Sequence, residues 1–213
     1  IIGAGNIAHK FIDAATLVEG CEVAAIASKS LDKASQFADR YLIDACSDYE
    51  ALVSRDDIDI IYVATSHNFH YANAHLALSN NKHVLIEKPF TVNALQARRL
   101  ADLAKEKSLF LMEAMWTRFL PSVLELRRVV QSGEIGEIRF INISFGSIAK
   151  EKYVERLMRP DVAGGATLDM GIYPISFANF VLGRLPIASH SVMMPSQTGV
   201  DEMAIYHLQY AGD

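Results

Sequence analysis

The stretch Ile1-Ile2-Gly3-Ala4-Gly5-Asn6-Ile7-Ala8 constrains the fold more than any other, because it asks for a strand, a tight turn and a helix in immediate succession. Glycines at 3 and 5 let the chain turn sharply and bring its backbone close to a ligand, and the small residue at 8 lets the helix lie against the strand. A helix N-terminus facing such a turn suits a pyrophosphate, so Gly3, Gly5, Asn6 and Ile7 are candidate cofactor-binding residues. A plain strand-to-helix turn would use the same glycines. The rest of the chain decides between the two.

Beyond residue 8 the chain alternates between helix and strand. A helix is expected over 6–19, and the apolar run 22–27 ends at Ser28-Lys29-Ser30. Leu31, Ala34, Phe37, Ala38 and Tyr41 then share one helical face. Residues 58–63 form a β-branched run typical of a strand buried on both sides, with an exit loop at 65–69, and Tyr71, Ala74 and Leu78 mark the next helix. Strand 83–86, a helix capped by Asn93 with a stripe of Ala97, Leu100, Ala101 and Ala104, and strand 109–112 close the series.

From Trp116 the pattern changes. Pro121 opens a helix through 124–130 that Gly133 and Gly136 end, and a long strand is expected over 138–145. A polar loop, a Gly164-Gly165 turn, a helix through Phe177 to Leu182 and two strand-like runs complete the sequence. The expected fold is α/β: a Rossmann-type, doubly wound parallel sheet over 1–115, then an α+β domain over 116–213 with a mostly antiparallel open sheet. Only two residues precede Gly3 where a strand normally runs about five, and Gly212-Asp213 is a turn signal without a returning strand. The sheet is therefore expected to be truncated.

Charge and cysteine content narrow the partners. Lys plus Arg is 20 against 25 Asp plus Glu, a net charge of −5 with no dense basic run, which argues against nucleic acid and anionic membranes. No apolar stretch approaches the roughly 18 residues of a spanning helix and no signal-peptide pattern opens the chain, so a cytoplasmic location is expected. Cys21, in the lead-in to a strand, and Cys46, at the start of a short helical region, form no CxxC and read as reduced packing thiols.

Three clusters carry chemistry. An NAD-preferring site would place Asp or Glu at the end of the second strand; Ser28, Lys29 and Ser30 instead offer hydroxyls and a cation to a 2′-phosphate, so NADP is the preferred cofactor, with NAD still open. Glu87-Lys88-Pro89 puts two ionisable groups at a strand's carboxyl end, where parallel sheets bind ligands; Lys88 there can donate to a substrate oxygen, the alternative being a surface ion pair. In Gly164-Gly165-Ala166-Thr167-Leu168-Asp169-Met170-Gly171-Ile172-Tyr173, a helix starting near 169–171 would put Asp169 and Tyr173 on one face, with Tyr173 a general acid/base. The same residues could be an Asp cap followed by a packing Tyr. His67, His70 and His75 fall within nine residues but have no acidic partner at ligand spacing, and Asn68 capping a helix explains the segment, so no metal is expected. Trp116 and Arg118 could wall a substrate pocket or serve as an anchor and an ion pair.

Glu87-Lys88-Pro89, the segment Leu111-Met112-Glu113-Ala114-Met115-Trp116-Thr117-Arg118-Phe119-Leu120-Pro121 and the Gly164 to Tyr173 block together resemble the glucose-fructose oxidoreductase/inositol dehydrogenase family. Within it they look like the branch of dimeric dihydrodiol and NADP-linked D-xylose dehydrogenases. The resemblance implies NADP-dependent hydride transfer to or from a CH–OH group of a small sugar, polyol or trans-dihydrodiol. It places Lys88 and Tyr173 at the reacting carbon with Asp169 beside them, Trp116 and Phe145 along the substrate, and a homodimer formed through the C-terminal sheet; Glu87 and Lys88, from their place at the strand end, are also candidate cofactor-binding residues, and Arg118, beside Trp116, a candidate substrate-binding one. Many members have His where Tyr173 stands, and members are longer than this chain. The family also includes a repressor-like branch that binds NADP without turnover; such a protein should lack Lys88, Asp169 and Tyr173, which are present here.

Overall fold

The computed structural model describes residues 1–211, apart from the side chain of Lys152; the turn expected at Gly212-Asp213 lies outside the described residues. The chain divides into two compact units, Ile1–Ala114 and Met115 onward.

In the first unit the chain runs α1 (Asn6–Ala15), β1 (Ala25–Ala27), α2 (Leu31–Tyr41), β2 (Asp44–Cys46), α3 (Tyr49–Val53), β3 (Ile60–Val63), α4 (His70–Ser79), β4 (His83–Ile86), α5 (Ala94–Glu106) and β5 (Leu111–Glu113). β1 pairs with β2, and β3–β4–β5 form a second parallel set. Ile2 bridges both sets, pairing in parallel with Ala27 on one side and Val63 on the other. The spatial order is therefore β2, β1, the Ile2 segment, β3, β4, β5, with a reversal of direction at Ile2, the switch point of a doubly wound sheet.

Period-two alternation then sorts the side chains into two cores. Ile2, Ala25, Ala27, Ile61, Val63, Val84 and Ile86 face one side with Leu52, Leu78 and Leu100 from α3, α4 and α5. Ile1, Ile26 and Tyr62 face the other with Ala8 and Ile12 of α1 and Phe37 of α2. Both faces are apolar, which is why these strands lack a polar stripe.

The cap residues account for the helix starts. Ser30, Asp48 and Asn93 each accept a backbone N–H three residues on, from Lys33, Ala51 and Gln96. Asn68 does not cap α4: a 3₁₀ turn over His67–Phe69 comes first and Phe69 occupies the cap position. Cys46 ends β2 rather than starting a helix, because its peptide extends the ladder beside Ala27. Ala101 of the predicted α5 stripe is exposed, and the buried positions of that helix are Leu100 and Ala104.

The second unit holds a 3₁₀ turn at Trp116–Phe119, α6 (Pro121–Ser132), α7 (Glu151–Leu157), a π-helical turn at Thr167–Gly171, α8 (Ile172–Leu182) and the antiparallel pair β6 (Ala188–Pro195) and β7 (Asp201–Gln209). Pro121 starts α6 and Gly133, in the left-handed region at φ 77°, stops it. The strand expected over 138–145 is absent: among the described residues no ladder partner pairs with it, and alternation reports a taste for a pleated surface, not the partner that completes one.

Gly3 is fixed by the fold itself. Its φ is +106°, and a methyl group there would lie 2.7 Å from the Ala64 carbonyl oxygen. Gly3→Ala is expected to lower stability by about 3 kcal/mol through strain and overpacking, a loss that thermal or denaturant unfolding will measure.

Candidate active site

All strands of a parallel sheet end at one edge, and ligands bind there. That edge of the first unit receives the Gly3–Ala8 turn after Ile2, Ser28 and Lys29 after β1, Thr65 after β3, and Glu87 and Lys88 after β4.

The glycine turn fits a dinucleotide pyrophosphate. α1 begins without a side-chain cap and with no acidic residue in its first turn, so its N-terminal dipole is left favourable to an anion. Gly5 has an ordinary extended backbone, and a Cβ there would meet only the Ala64 oxygen at 3.9 Å. Its missing side chain leaves space on the ligand side instead of relieving an internal clash. Ala8 is fully buried, which seats α1 on the sheet. After β1, Ser28 is buried and Lys29 exposed, while Ser30 is engaged as the cap of α2 at 3.4 Å from the Lys33 N–H. Tyr49 bonds the Lys29 backbone, and burial pushes its phenol up against that bond.

Beyond β4 the carboxylate of Glu87 is tied at both oxygens: Oε1 accepts from the Tyr62 hydroxyl at 2.5 Å and Oε2 from the Lys88 N–H at 3.2 Å. Burial, then the Glu87 charge, drive the Tyr62 phenol far above its usual range, so Tyr62 is the donor. The next peptide, Lys88–Pro89, is cis, and Phe90 N–H donates to Glu113 at 2.7 Å.

His70 joins two loops of this edge. Its Nδ1 lies 2.8 Å from the Pro89 carbonyl oxygen and its Nε2 3.0 Å from that of Thr65. Burial holds the imidazole below its ordinary 6.5; the two carbonyls pull upward and the Lys88 charge pushes down again. Whichever ring nitrogen carries a proton donates it to the carbonyl that it faces. Among the described residues no group of three or more His, Cys, Asp or Glu side chains could hold a metal.

In the second unit one face of α8 reads the 3₁₀ turn. Tyr173, Ser176 and Phe180 recur at positions i, i+3 and i+7. Trp116 Nε1 donates to the Tyr173 hydroxyl at 3.1 Å, and Arg118 Nε donates to Ser176 Oγ at 2.9 Å with its guanidinium 5.6 Å from the Phe180 ring centre. The Phe145 ring stands edge-on to Tyr173 at 5.5 Å. Trp116, Phe145 and Tyr173 thus form an aromatic corner, while Arg118 is engaged with α8.

Asp169 lies on the π turn, not on the helix of Tyr173. Its carboxylate accepts from Arg156 of α7 at 3.4 Å, with 19% of the side chain exposed. The Ile172 N–H reaches back five residues to the Thr167 carbonyl, so the turn that bears Asp169 is wider than the α-helix that carries Tyr173. Thr167 is anchored by Asp201, which accepts both its N–H and its hydroxyl at 2.6 Å, and by the Tyr206 hydroxyl at 2.6 Å.

Four of these participants are not singled out by motif: Tyr62, His70 as a loop clasp, Arg156 and Ser176. Tyr62 had a signal, a lone hydroxyl in an otherwise aliphatic strand core. Arg156 and Ser176 had none, since their partners are 13 and 58 residues away.

A glycine cradle and a lysine on one edge of a doubly wound sheet, with an α+β unit after them, define a dinucleotide-binding protein of two parts. The chain belongs to the oxidoreductase family with an NAD-binding Rossmann fold, whose model matches residues 1–115, and the C-terminal domain of the same family matches residues 123–213. It is 44% identical over 171 residues to a D-xylose 1-dehydrogenase (NADP(+)) of Hypocrea jecorina, covering 73% of this chain and 43% of that protein. It is 37% identical over 217 residues to a trans-1,2-dihydrobenzene-1,2-diol dehydrogenase of Xenopus tropicalis, covering 100% of this chain and 65% of that one. Among solved structures, a 3-ketoreductase of Actinomadura kijaniata in complex with NADP and TDP-benzene superposes with a TM-score of 0.84 at 33% identity, over 95% of this chain and 63% of that one. The chain therefore spans less than two thirds of the length of each of these relatives.

The His70 clasp predicts a pH effect with a definite sign. A base whose affinity for protons is lower folded than unfolded leaves the unfolded state binding more protons as pH falls, so stability is complete above the unfolded value and declines below it. The melting temperature is expected to fall between about pH 7 and pH 5, and His70→Gln to flatten that fall. An unchanged slope in the variant removes His70 from the effect.

Proposed function

We propose that this chain carries NADP-dependent dehydrogenase chemistry, moving a hydride between the nicotinamide and a CH–OH group of a small sugar, polyol or trans-dihydrodiol. One observation supports it most: an uncapped glycine cradle and the Glu87–Lys88 pair stand at the same edge of one parallel sheet. The names of the two dehydrogenase relatives support the substrate class.

The Gly3–Ile7 backbone holds the pyrophosphate, and Ser28 and Lys29 receive the 2′-phosphate. Bound NADP supplies the hydride acceptor. Tyr173 removes the hydroxyl proton as the C–H bond gives up its hydride, so an alcohol becomes a carbonyl and one proton is released. The bond that Trp116 donates fixes the position of the Tyr173 oxygen. Lys88 donates to the substrate oxygen, Asp169 positions the substrate, and Trp116 and Phe145 offer it apolar ring surface. We assign cofactor binding to the first domain and substrate binding to the second. A cytoplasmic homodimer through the C-terminal sheet fits the outward-facing Val192, Met194, Met203 and Ile205.

Titration with NADPH and separately with NADH, followed by nicotinamide fluorescence, is expected to show preferential NADPH binding; binding of neither would remove the basis of the assignment. Lys29→Glu is expected to lower the NADPH/NADH affinity ratio by about tenfold or more, the scale of one charge-assisted hydrogen bond. Lys88→Met and Tyr173→Phe are each expected to lower kcat by about 10²–10⁴ with cofactor affinity nearly kept, measured by steady-state kinetics on D-xylose and trans-dihydrodiols.

A further inference from the structure

The Glu87 carboxylate at the β4 exit is held at both of its oxygens. Tyr62 sits on β3 opposite Leu85 of β4, so its ring projects from the same sheet face as Glu87, two residues further along. The ring is 4% exposed and stacks on Phe11 of α1 with centres 3.8 Å apart and planes 18° apart. Its hydroxyl, at the end of this rigid stack, reaches Glu87 at 2.5 Å, and the other oxygen of Glu87 takes the Lys88 N–H. An unbroken series of contacts thus runs from the cradle helix through Phe11, Tyr62 and Glu87 to the peptide that bears Lys88.

Packing alone does not require this hydroxyl. Phenylalanine would fill the same space and keep the stack, while a buried hydroxyl without a partner costs stability. A charged acceptor makes the bond short and directional, so it sets where the carboxylate lies, and the carboxylate in turn sets the Lys88 peptide. We propose that Tyr62 is a positioning residue of the active site, which through Glu87 fixes the Lys88 peptide relative to the cofactor-cradling helix α1. The inference rests on the reading of Lys88 as a residue of the reacting site.

Tyr62→Phe removes the hydroxyl and nothing else. In the protein without cofactor or substrate, amide exchange at Lys88, followed by NMR, is expected to quicken about tenfold in this variant, the scale of one lost hydrogen bond to a charged group, while exchange in the core strands stays as in the parent. In kinetics the variant is expected to lower kcat about tenfold with the NADPH Kd within about twofold, and Tyr62→Phe combined with Glu87→Gln to be no slower than the slower single variant. A merely structural tyrosine would instead loosen the core strands and combine additively with Glu87→Gln. Unchanged Lys88 exchange, or additive kinetics, overturns the proposal. A parent protein that turns over no sugar or diol defeats the proposed reaction, and the exchange measurement still decides whether Tyr62 braces the Lys88 peptide.

Discussion

Four backbone hydrogen bonds around Ile1–Gly3 hold the first unit together. Ala27 N–H donates to Ile1 O at 2.9 Å and Gly3 N–H to Ala27 O at 2.8 Å on one side; Ile2 N–H donates to Tyr62 O at 2.9 Å and Ala64 N–H to Ile2 O at 2.8 Å on the other. Without them the β1–β2 pair and the β3–β4–β5 set are separate sheets, each too small to support two cores. The same segment ends in the glycine turn, so the bonds that close the sheet also place the start of α1 at its switch point. This is why Gly3 cannot carry a side chain: its residue is pressed against the Ala64 peptide by the pairing that joins the halves.

The second unit solves a different problem, holding polar side chains steady near a surface. Tyr173, Ser176 and Phe180 lie on one face of α8, and the Trp116–Phe119 turn meets that face with an indole N–H, a guanidinium and a ring contact. Individually such contacts are small, a hydrogen bond being worth about 1 kcal/mol net and an exposed cation–π contact about the same. Together they tie the turn to α8, and the Trp116 bond with the edge-on Phe145 ring holds the Tyr173 phenol. The π turn before α8 is held in the same way, through Asp201 and Tyr206 of the hairpin strand β7, and a Cβ on Gly171 would come within 2.6 Å of the Tyr206 hydroxyl.

Elements that rest on local rules were legible in the sequence. The strands 60–63 and 83–86 lie in β-branched or aliphatic runs, α5 begins after its cap Asn93, and Gly133 stops α6, whereas Ser30, read as a phosphate contact, proves to be the cap of α2. Features that depend on a distant partner were not. The alternation of 138–145 looks like a strand, yet a strand exists only when another chain segment completes its ladder. β2 escaped notice because three residues, two of them exposed, carry too little pattern to announce a pairing with β1. The π turn is not announced by any local pattern, and the Asp201 carboxylate that holds its first residue, Thr167, lies 34 residues away. Among the site residues, motif placed Gly3, Gly5, Glu87 and Lys88 on one edge, but the partners that orient them had to be seen in space.

Geometry also separates two kinds of motif position that a pattern treats alike. Gly3 and Gly5 are equivalent in the fingerprint, yet Gly3 answers to the Ala64 carbonyl at 2.7 Å and Gly5 to nothing closer than 3.9 Å. The first glycine is required by the fold, whereas no close contact within the described residues requires the second. Glu87 and Lys88 divide in a similar way: both Glu87 oxygens take bonds from the protein, one from Tyr62 and one from a backbone N–H, so the carboxylate acts first on the chain that carries the lysine. A carboxylate has lone pairs to spare beyond two bonds, so a ligand contact adds to this internal role without replacing it. The edge of the sheet is thus built in two layers. One, made of Gly3, Tyr62, Glu87 and His70, is held by contacts within the protein, and the other, Gly5 and Lys29, stands beside it where the first strands run into their turns.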